Sequence, residues 1–300
     1  MARVTGKSTF SIVAADLQAG EVGCAVQSKY FSVGSVVPWV RAGIGAAATQ
    51  AAGVAVYGER ALVELTRGSD PAGALDVVLA DDPDRETRQL GLLTADGRAA
   101  AFTGADCLDW AGHRVGPGFA VQGNILTGQI VVDEMARAYE ETVGPLVERL
   151  VAALEAGQAA GGDRRGQQSA AVVVERVGAR SESREGIDRI CDLRVEDHPE
   201  PIRELRRLVG FWTTWEAQRR AHTLFARGDP AGAAAALRTE LAHSEDALML
   251  YNLACYESIA GETGAALGHL RRAIELDPSH RVLAAEDADF DAIRSAVAEL

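Results

Sequence analysis

Thr9 opens the stretch "TFSIVAAD", whose consecutive apolar residues suit a strand covered on both faces. A threonine hydroxyl is a weak nucleophile, and the free α-amine of the same residue can serve as its base. That amine titrates at about 7.7–8.0 when unperturbed, so a modest downward shift leaves it neutral near pH 7. The chemistry implied is attack on an amide carbonyl. Eight residues precede Thr9, however, and they make its nitrogen an amide. The base exists only if the Ser8–Thr9 bond is cut or translation starts elsewhere. The competing reading is that Thr9 is simply the first residue of a strand.

The elements that would position Thr9 can be read from pattern. "EVGCAVQS" forms a second strand after the turn "DLQAG", and "GIGAAATQ" (43–50) a third. "YGERALVELTRG" (57–68) places Ala61, Leu62 and Leu65 on one helical face and stops at Gly68. Asp70 followed by Pro71 is an N-cap with proline at the first helical position, so a second helix starts there. "RQLGLLTADGRAAAFTG" (88–104) is a hairpin around Asp-Gly, and "GFAVQGN" (118–124) is a further strand. "GQIVVDEMARAYEETV" and "GPLVERLVAALEAGQAAGG" follow as helices, then "QSAAVVVERV" (168–177) and "ICDLRVEDH" (190–198) as strands. Hairpins dominate and strands do not alternate steadily with helices, which predicts an α+β fold of two packed sheets with helices outside.

Composition excludes several classes. A net charge of −13 opposes a nucleic-acid partner, whose phosphates demand a basic face. The four cysteines, Cys24, Cys107, Cys191 and Cys255, are isolated singles, which argues against a zinc site or a disulfide framework. His198 has no second ligand nearby in sequence, so neither a metal nor a cofactor is expected. The first residues carry no signal-like apolar run and no stretch is apolar enough to span a bilayer. A cytoplasmic protein without membrane partners is the expectation.

Taken in order, "TFSIVAAD", "GEVGCAVQSKYFSVG", "GIGAAATQA", "YGERALVEL", "RQLGLL", "FAVQGN", "AGGDRRGQQSAAVVVE" and "DLRVEDHPEPIRELRRL" resemble the domain-of-unknown-function family numbered 1028. Its members are similar to N-terminal nucleophile (Ntn) hydrolases. The resemblance covers residues 8–208 and implies a four-layer αββα sandwich. Family members often begin Met-Thr-Phe-Ser, so that removing Met exposes threonine. The matching residue here is Thr9, and the residues before it depart from that pattern.

The same resemblance gives the other polar segments candidate roles. Ser28 would orient the Thr9 amine and the Lys29 charge would lower its pKa. In the loop "GGDRRGQQS" (161–169), Asp163 and Ser169 would hold the amine, while Arg164 or Arg165 would bind a substrate carboxylate. Asn124 would donate to a developing oxyanion together with a backbone N–H near Thr49–Gln50. Each has a plainer alternative: an exposed lysine after a strand, a solvated loop, a turn-capping asparagine. The substrate expected is a small amide, an acylated amino acid or a peptide. The rival is a non-catalytic protein that keeps the fold and binds a ligand or partner.

Beyond about residue 209 the strand patterns stop. "WEAQRRAHTLFARGDPAGAAAALRTELAHSED" and "LMLYNLACYESIAGETGAALGHLRRAIELDPSH" superimpose at an offset of 33, matching Ala221 with Ala254, Gly228 with Gly261, Ala233 with Ala266 and Leu237 with Leu270. This resembles the tetratricopeptide repeat and predicts an all-helical domain over 209–300. Repeats need neighbours to bury their faces. A preceding helix carrying Leu205, Leu208 and Trp212 and a closing one carrying Phe290, Ile293 and Val297 are expected to supply them. The groove left over would take a protein partner, as a peptide or as a second subunit of a homo-oligomer.

Overall fold

β1 (Thr9–Asp16) and β2 (Glu21–Ser28) are joined by a turn in which Asp16 Oδ1 accepts the N–H groups of Gln18 and Ala19, each at 3.0 Å. The computed structural model describes residues 9–182, 186–241 and 245–300. It divides the chain into two units, 1–209 and 210–300.

The first unit adds β3 (Pro38–Arg41), β4 (Gly45–Ala51), β5 (Arg88–Thr94), β6 (Ala99–Thr103), β7 (Gly112–Gly116), β8 (Phe119–Asn124), β9 (Ser169–Arg176) and β10 (Arg189–Val195). They form two antiparallel sheets, ordered β10-β9-β2-β1-β8-β7 and β3-β4-β5-β6. Thr9 therefore begins a strand with neighbours on both sides. The mixed, antiparallel architecture agrees with the α+β reading. Two strands escaped the sequence pattern, β3 and β7, because each is a short edge strand with no apolar alternation to mark it.

The inner faces of the two sheets meet over Val13, Cys24, Val26, Ala46, Ala48, Leu93, Ala120 and Ala171, all buried. Each fully buried branched side chain contributes about 1.5–3 kcal/mol by leaving water. Period-two alternation sends Phe10, Ile12 and Ala14 to the opposite face. There α3 (Ile130–Glu141) and α4 (Leu146–Ala159) pack on the first sheet. α1 (Val56–Thr66) and α2 (Pro71–Leu79) cover the outer face of the second, burying Ala61, Leu62, Leu65, Leu75 and Leu79 against Leu90 and Leu92. The Asp70 cap is present, its Oδ1 accepting Gly73 N–H at 2.8 Å. After α2, buried Asp82 receives Arg88 Nε at 2.7 Å, Tyr57 Oη at 2.8 Å and Asp84 N–H at 3.0 Å. Arg88 above all holds the Asp82 carboxyl well below the usual carboxylate range.

After the short α5 (Ala179–Glu182), the long α6 (Pro201–Ala226) begins in the first unit and continues into the second. Its buried positions are Pro201, Ile202, Leu205 and Val209, then Thr214, Ala217 and Ala221, whereas Leu208 and Trp212 are half-buried. The face predicted through Leu208 and Trp212 is thus rotated, because the helix buries the row that includes Val209.

The second unit continues with α7 (Pro230–Leu241), α8 (Ala247–Ile259), α9 (Thr263–Leu276), α10 (His280–Glu286) and α11 (Arg294–Val297). The four pairs related by the 33-residue offset behave alike. Ala221, Ala254, Ala233, Ala266, Leu237 and Leu270 are fully buried, and Gly228 and Gly261 adopt φ of 84° and 82°. That left-handed backbone ends each first helix at little cost only in glycine. Phe290, Ile293 and Val297 join the cluster of Leu250, Ala254 and Leu270. A fully buried carboxylate on α8, Glu257, receives Arg238 of α7 at 2.7 Å and lies 2.7 Å from His269 of α9, pinning three helices together.

Candidate functional site

Along most of its length the inter-sheet layer is apolar. Where β1 begins it turns polar. Thr9, Ser11, Ser28, Gln50, Gln89, Gln122, Asn124 and Ser169 are each no more than 1% exposed. Sheet register brings them together: Thr9 lies opposite Ser28 on one side and Asn124 on the other, Ser28 opposite Ser169, Ser11 opposite Gln122, and Gln50 opposite Gln89. The second sheet admits the Gln122 amide because residue 91 is glycine. A Cβ there would lie 2.1 Å from Gln122 Oε1.

A polar group buried without a partner costs about 1–3 kcal/mol, so these side chains pair with one another. The Thr9 hydroxyl donates to Ser28 Oγ at 3.1 Å. Ser11 Oγ donates to Gln50 Oε1 and accepts from Gln122 Nε2, both at 2.6 Å. Gln50 Nε2 donates to Gln89 Oε1 at 2.9 Å and, at 3.3 Å, to the carbonyl oxygens of Thr9 and Gln122. Asn124 Nδ2 also donates to Gln89 Oε1, at 3.0 Å. Beyond Gln89 the chain continues through Thr103 Oγ1 to Nδ1 of exposed His113.

The rim is built from loops at the same end. Ser32, Ala51 and Ile125 have φ of 56°, 65° and 53°; Ser32 and Ile125 follow β2 and β8, and Ala51 is the last residue of β4. For a β-branched residue such as Ile125 this conformation costs about 1–2 kcal/mol, which the surrounding packing must outweigh. Asp163 is buried; its carboxylate accepts the N–H of Lys29 at 3.0 Å and that of Arg165 at 2.8 Å. Ser169 Oγ donates to Tyr30 O at 2.5 Å and accepts Val33 N–H at 3.0 Å.

The sequence-derived candidates therefore separate into two groups. Thr9, Ser28, Asn124 and Gln50 share the buried seam. Asp163 and Ser169, expected to hold the Thr9 amine, instead hold the segment 29–33 against β9. Lys29 is exposed and its Nζ donates to Gln167 O at 3.0 Å, while Arg164 Nη1 donates to Asp109 O at 3.3 Å. Among the described residues no hydrogen bond joins Lys29, Asp163 or Arg164 to Thr9. Arg165 lies beside Asp163, its Nη2 at 3.5 Å. The sequence reading missed Ser11, Gln89, Gln122, Thr103 and His113. The available signal was the glutamine inside each of β4, β5 and β8; Gln27 of β2 is a fourth, but it shares the outward face of Phe10.

Although one edge of the His113 ring reaches solvent, partial desolvation of the ring lowers its pKa and favours the neutral form; burial pushes the Cys24 thiol up, which leaves that thiol an inert part of the core. Two other features lie apart from Thr9. A groove of about 440 Å³ on α1 and α2 is lined by Tyr57, Arg60, Arg67, Val77 and Asp81, none of them in the segments around the seam. In the second unit, ligand atoms of Cys255, Asp287 and Asp289 lie within 4.8 Å of one another. Asp287 already accepts Tyr251 Oη at 2.7 Å and Asp289 N–H at 3.0 Å. Burial raises the Cys255 pKa, keeping the thiol protonated.

The model of a family of unknown function, DUF1028, matches residues 9–205. The chain belongs to this family. It is similar to the crystal structure of protein SPO2555 from Silicibacter pomeroyi, which is assigned to the same family. The two share 32% identity with a TM-score of 0.62, over 69% of this chain and 89% of that one. No curated protein matches the chain. Among the described residues no helix is long and apolar enough to cross a membrane.

Proposed function

We propose that the first unit is an N-terminal-nucleophile hydrolase of small amides or acylated amino acids, with Thr9 as its nucleophile. The observation that carries this reading is the position of Thr9. It begins a strand inside the sheet, its hydroxyl on Ser28 and Asn124 opposite, within a buried polar seam of an otherwise apolar layer. Helices on the outer faces of two apposed sheets fit the four-layer αββα sandwich of such enzymes, and the family match starts at Thr9.

Once the Ser8–Thr9 bond is cut, the Thr9 hydroxyl attacks the substrate carbonyl and its proton passes to the freed amine. The amine delivers that proton to the leaving nitrogen as the C–N bond breaks. Water, deprotonated by the same amine, then hydrolyses the ester and restores Thr9. Asn124, opposite Thr9 in the sheet and oriented by Gln89, is the proposed donor to the oxyanion. Lys29, Arg164 and Arg165 make the rim cationic and suit a substrate carboxylate. The helical unit, read as tetratricopeptide-like, is a surface for a protein partner, and the protein is cytoplasmic.

One observation favours the non-catalytic alternative: in the uncut chain Thr9 is fully buried and its hydroxyl is already hydrogen-bonded. Turnover of a panel of acylated amino acids by a chain beginning at Thr9 separates the two. Hydrolysis abolished by Thr9→Ala supports the enzyme. Hydrolysis undiminished in that variant rejects Thr9, and no hydrolysis across the panel favours the binding protein.

A further inference from the structure

Gln89 is fully buried and joins five partners. Its Oε1 accepts from Gln50 and Asn124, and its Nε2 donates to Gly123 O at 2.8 Å, Thr103 Oγ1 at 3.0 Å and Gly112 O at 3.2 Å. Two of those acceptors are main-chain carbonyls, which can only accept. Turning the amide over would set oxygen against oxygen, so its orientation is fixed without reference to any hydrogen position. Every neighbouring direction follows. Gln50 and Asn124 must present their NH₂ groups to Gln89, and Gln50 Oε1 must face Ser11. The Ser11 hydroxyl donates to that oxygen and accepts from Gln122. On the other side the Thr103 hydroxyl, 2.8 Å from His113 Nδ1, links the set to an exposed ring.

We propose that Gln89 is the positioning residue of the Thr9 centre, holding Gln50 and Asn124 in one orientation and coupling both, through Thr103, to the protonation of His113. Its catalytic meaning rests on the proposed role of Thr9, whereas the coupling itself does not. In the neutral tautomer that carries its proton on Nε2, His113 Nδ1 accepts the Thr103 hydroxyl proton. When Nδ1 is protonated, Thr103 must accept from the ring as well as from Gln89, and the polarity of the chain changes at that link.

β7 packs against β6, β8 and α3. β6 and β8 contain no titratable side chain. Arg114, on the other face of β7, reaches Glu140 of α3 at 3.7 Å. α3 also carries Asp133, Glu134, Arg137, Tyr139 and Glu141, on that same side of the sheet. The adjoining segments carry Glu86, whose carboxylate accepts Ala105 N–H, Arg88, which is paired with Asp82, and Asp106 and Asp109. His113 alone among these groups is hydrogen-bonded to Thr103.

The test follows the side-chain NH₂ resonances of Gln50, Gln89 and Asn124 in the full chain by NMR, alongside the His113 ring, from about pH 5 to 8. The expected result is that all three shift with the His113 midpoint. Thr103→Val should leave the main-chain spectrum in place and abolish the shift. Gln89→Met, of similar length without polar atoms, should also abolish it and speed NH₂ exchange at Gln50 and Asn124 at least about tenfold, as lost hydrogen bonds require. Amides that stay flat through the midpoint, or coupling that survives Thr103→Val, overturn the proposal. If Gln89→Met fails to fold, the Thr103→Val comparison decides alone. Absence of turnover from the chain beginning at Thr9 would sink the hydrolase reading and leave this result standing.

Discussion

Gln50→Leu is the substitution that probes the seam most sharply, because Gln50 crosses from one sheet to the other. Its removal takes the acceptor from the Ser11 hydroxyl and one of two donors from Gln89 Oε1. The contacts to Thr9 O and Gln122 O, both at 3.3 Å, are long and count for little. Gln122 could turn its unpartnered Oε1 towards Ser11, but that would orphan its NH₂ group instead. One orphaned hydroxyl, at about 1–3 kcal/mol, and one hydrogen bond lost from a carbonyl that keeps its other donor, at about 1 kcal/mol, give a loss of about 2–4 kcal/mol. Leucine fills most of the volume, so the cavity contribution is small. Hydrogen exchange of β1, β4 and β5 amides reports on the first unit by itself. Those limited by its unfolding should exchange roughly 30- to 1000-fold faster. Ser11→Ala in the Gln50→Leu background removes the orphan as well. The double variant should therefore lose less than the sum of the two singles. Strict additivity, or a single-variant loss under about 0.5 kcal/mol, would refute the claim that these groups depend on one another.

Two further predictions concern the charged pins. Arg88 depresses the Asp82 pKa below its unfolded value of about 3.9, so the stability it provides is fully present above that pH and fades as pH falls through it. The difference in Tm between the wild-type protein and Asp82→Asn should be constant above about pH 5 and shrink below about pH 4; a difference that grows on acidification would contradict the assignment. In the second unit, Glu257→Ala leaves the half-exposed Arg238 with Glu262 alone and should destabilise that unit by about 1–3 kcal/mol, measured by chemical denaturation. An unchanged transition would show that Glu257 is not the pin.

What the sequence revealed depended on the range of the interaction. Local signals held: the Asp70 cap, the Asp-Gly hairpin, and the repeat offset that leaves Gly228 and Gly261 with the same backbone. Hairpin register was legible too. Once Asp16 lies opposite Glu21, Thr9 must lie opposite Ser28 and Lys29 falls beyond the strand. Its ammonium bonds Gln167 O in the structure, whereas "QSK" read alone leaves open both a role beside Thr9 and a plain exposed lysine. The seam was not legible, because it depends on which inward residues of one sheet face those of the other. Gln50 and Gln89 are strand neighbours, yet their partners Ser11, Gln122 and Asn124 belong to the opposite sheet. No local pattern encodes that apposition. The partners that Asp163 and Ser169 have in the uncut chain, main-chain groups of 29–33, are likewise set by packing at long range and not by local pattern.

The intact mass of the purified protein tests the role of Thr9 most directly, since an α-amine on Thr9 is the one group the proposed chemistry cannot do without. Loss of residues 1–8, giving a chain that begins at Thr9, is the predicted result. A chain that keeps Ser8 joined to Thr9 as its sole species would contradict it, leaving Thr9 with an amide nitrogen and no base.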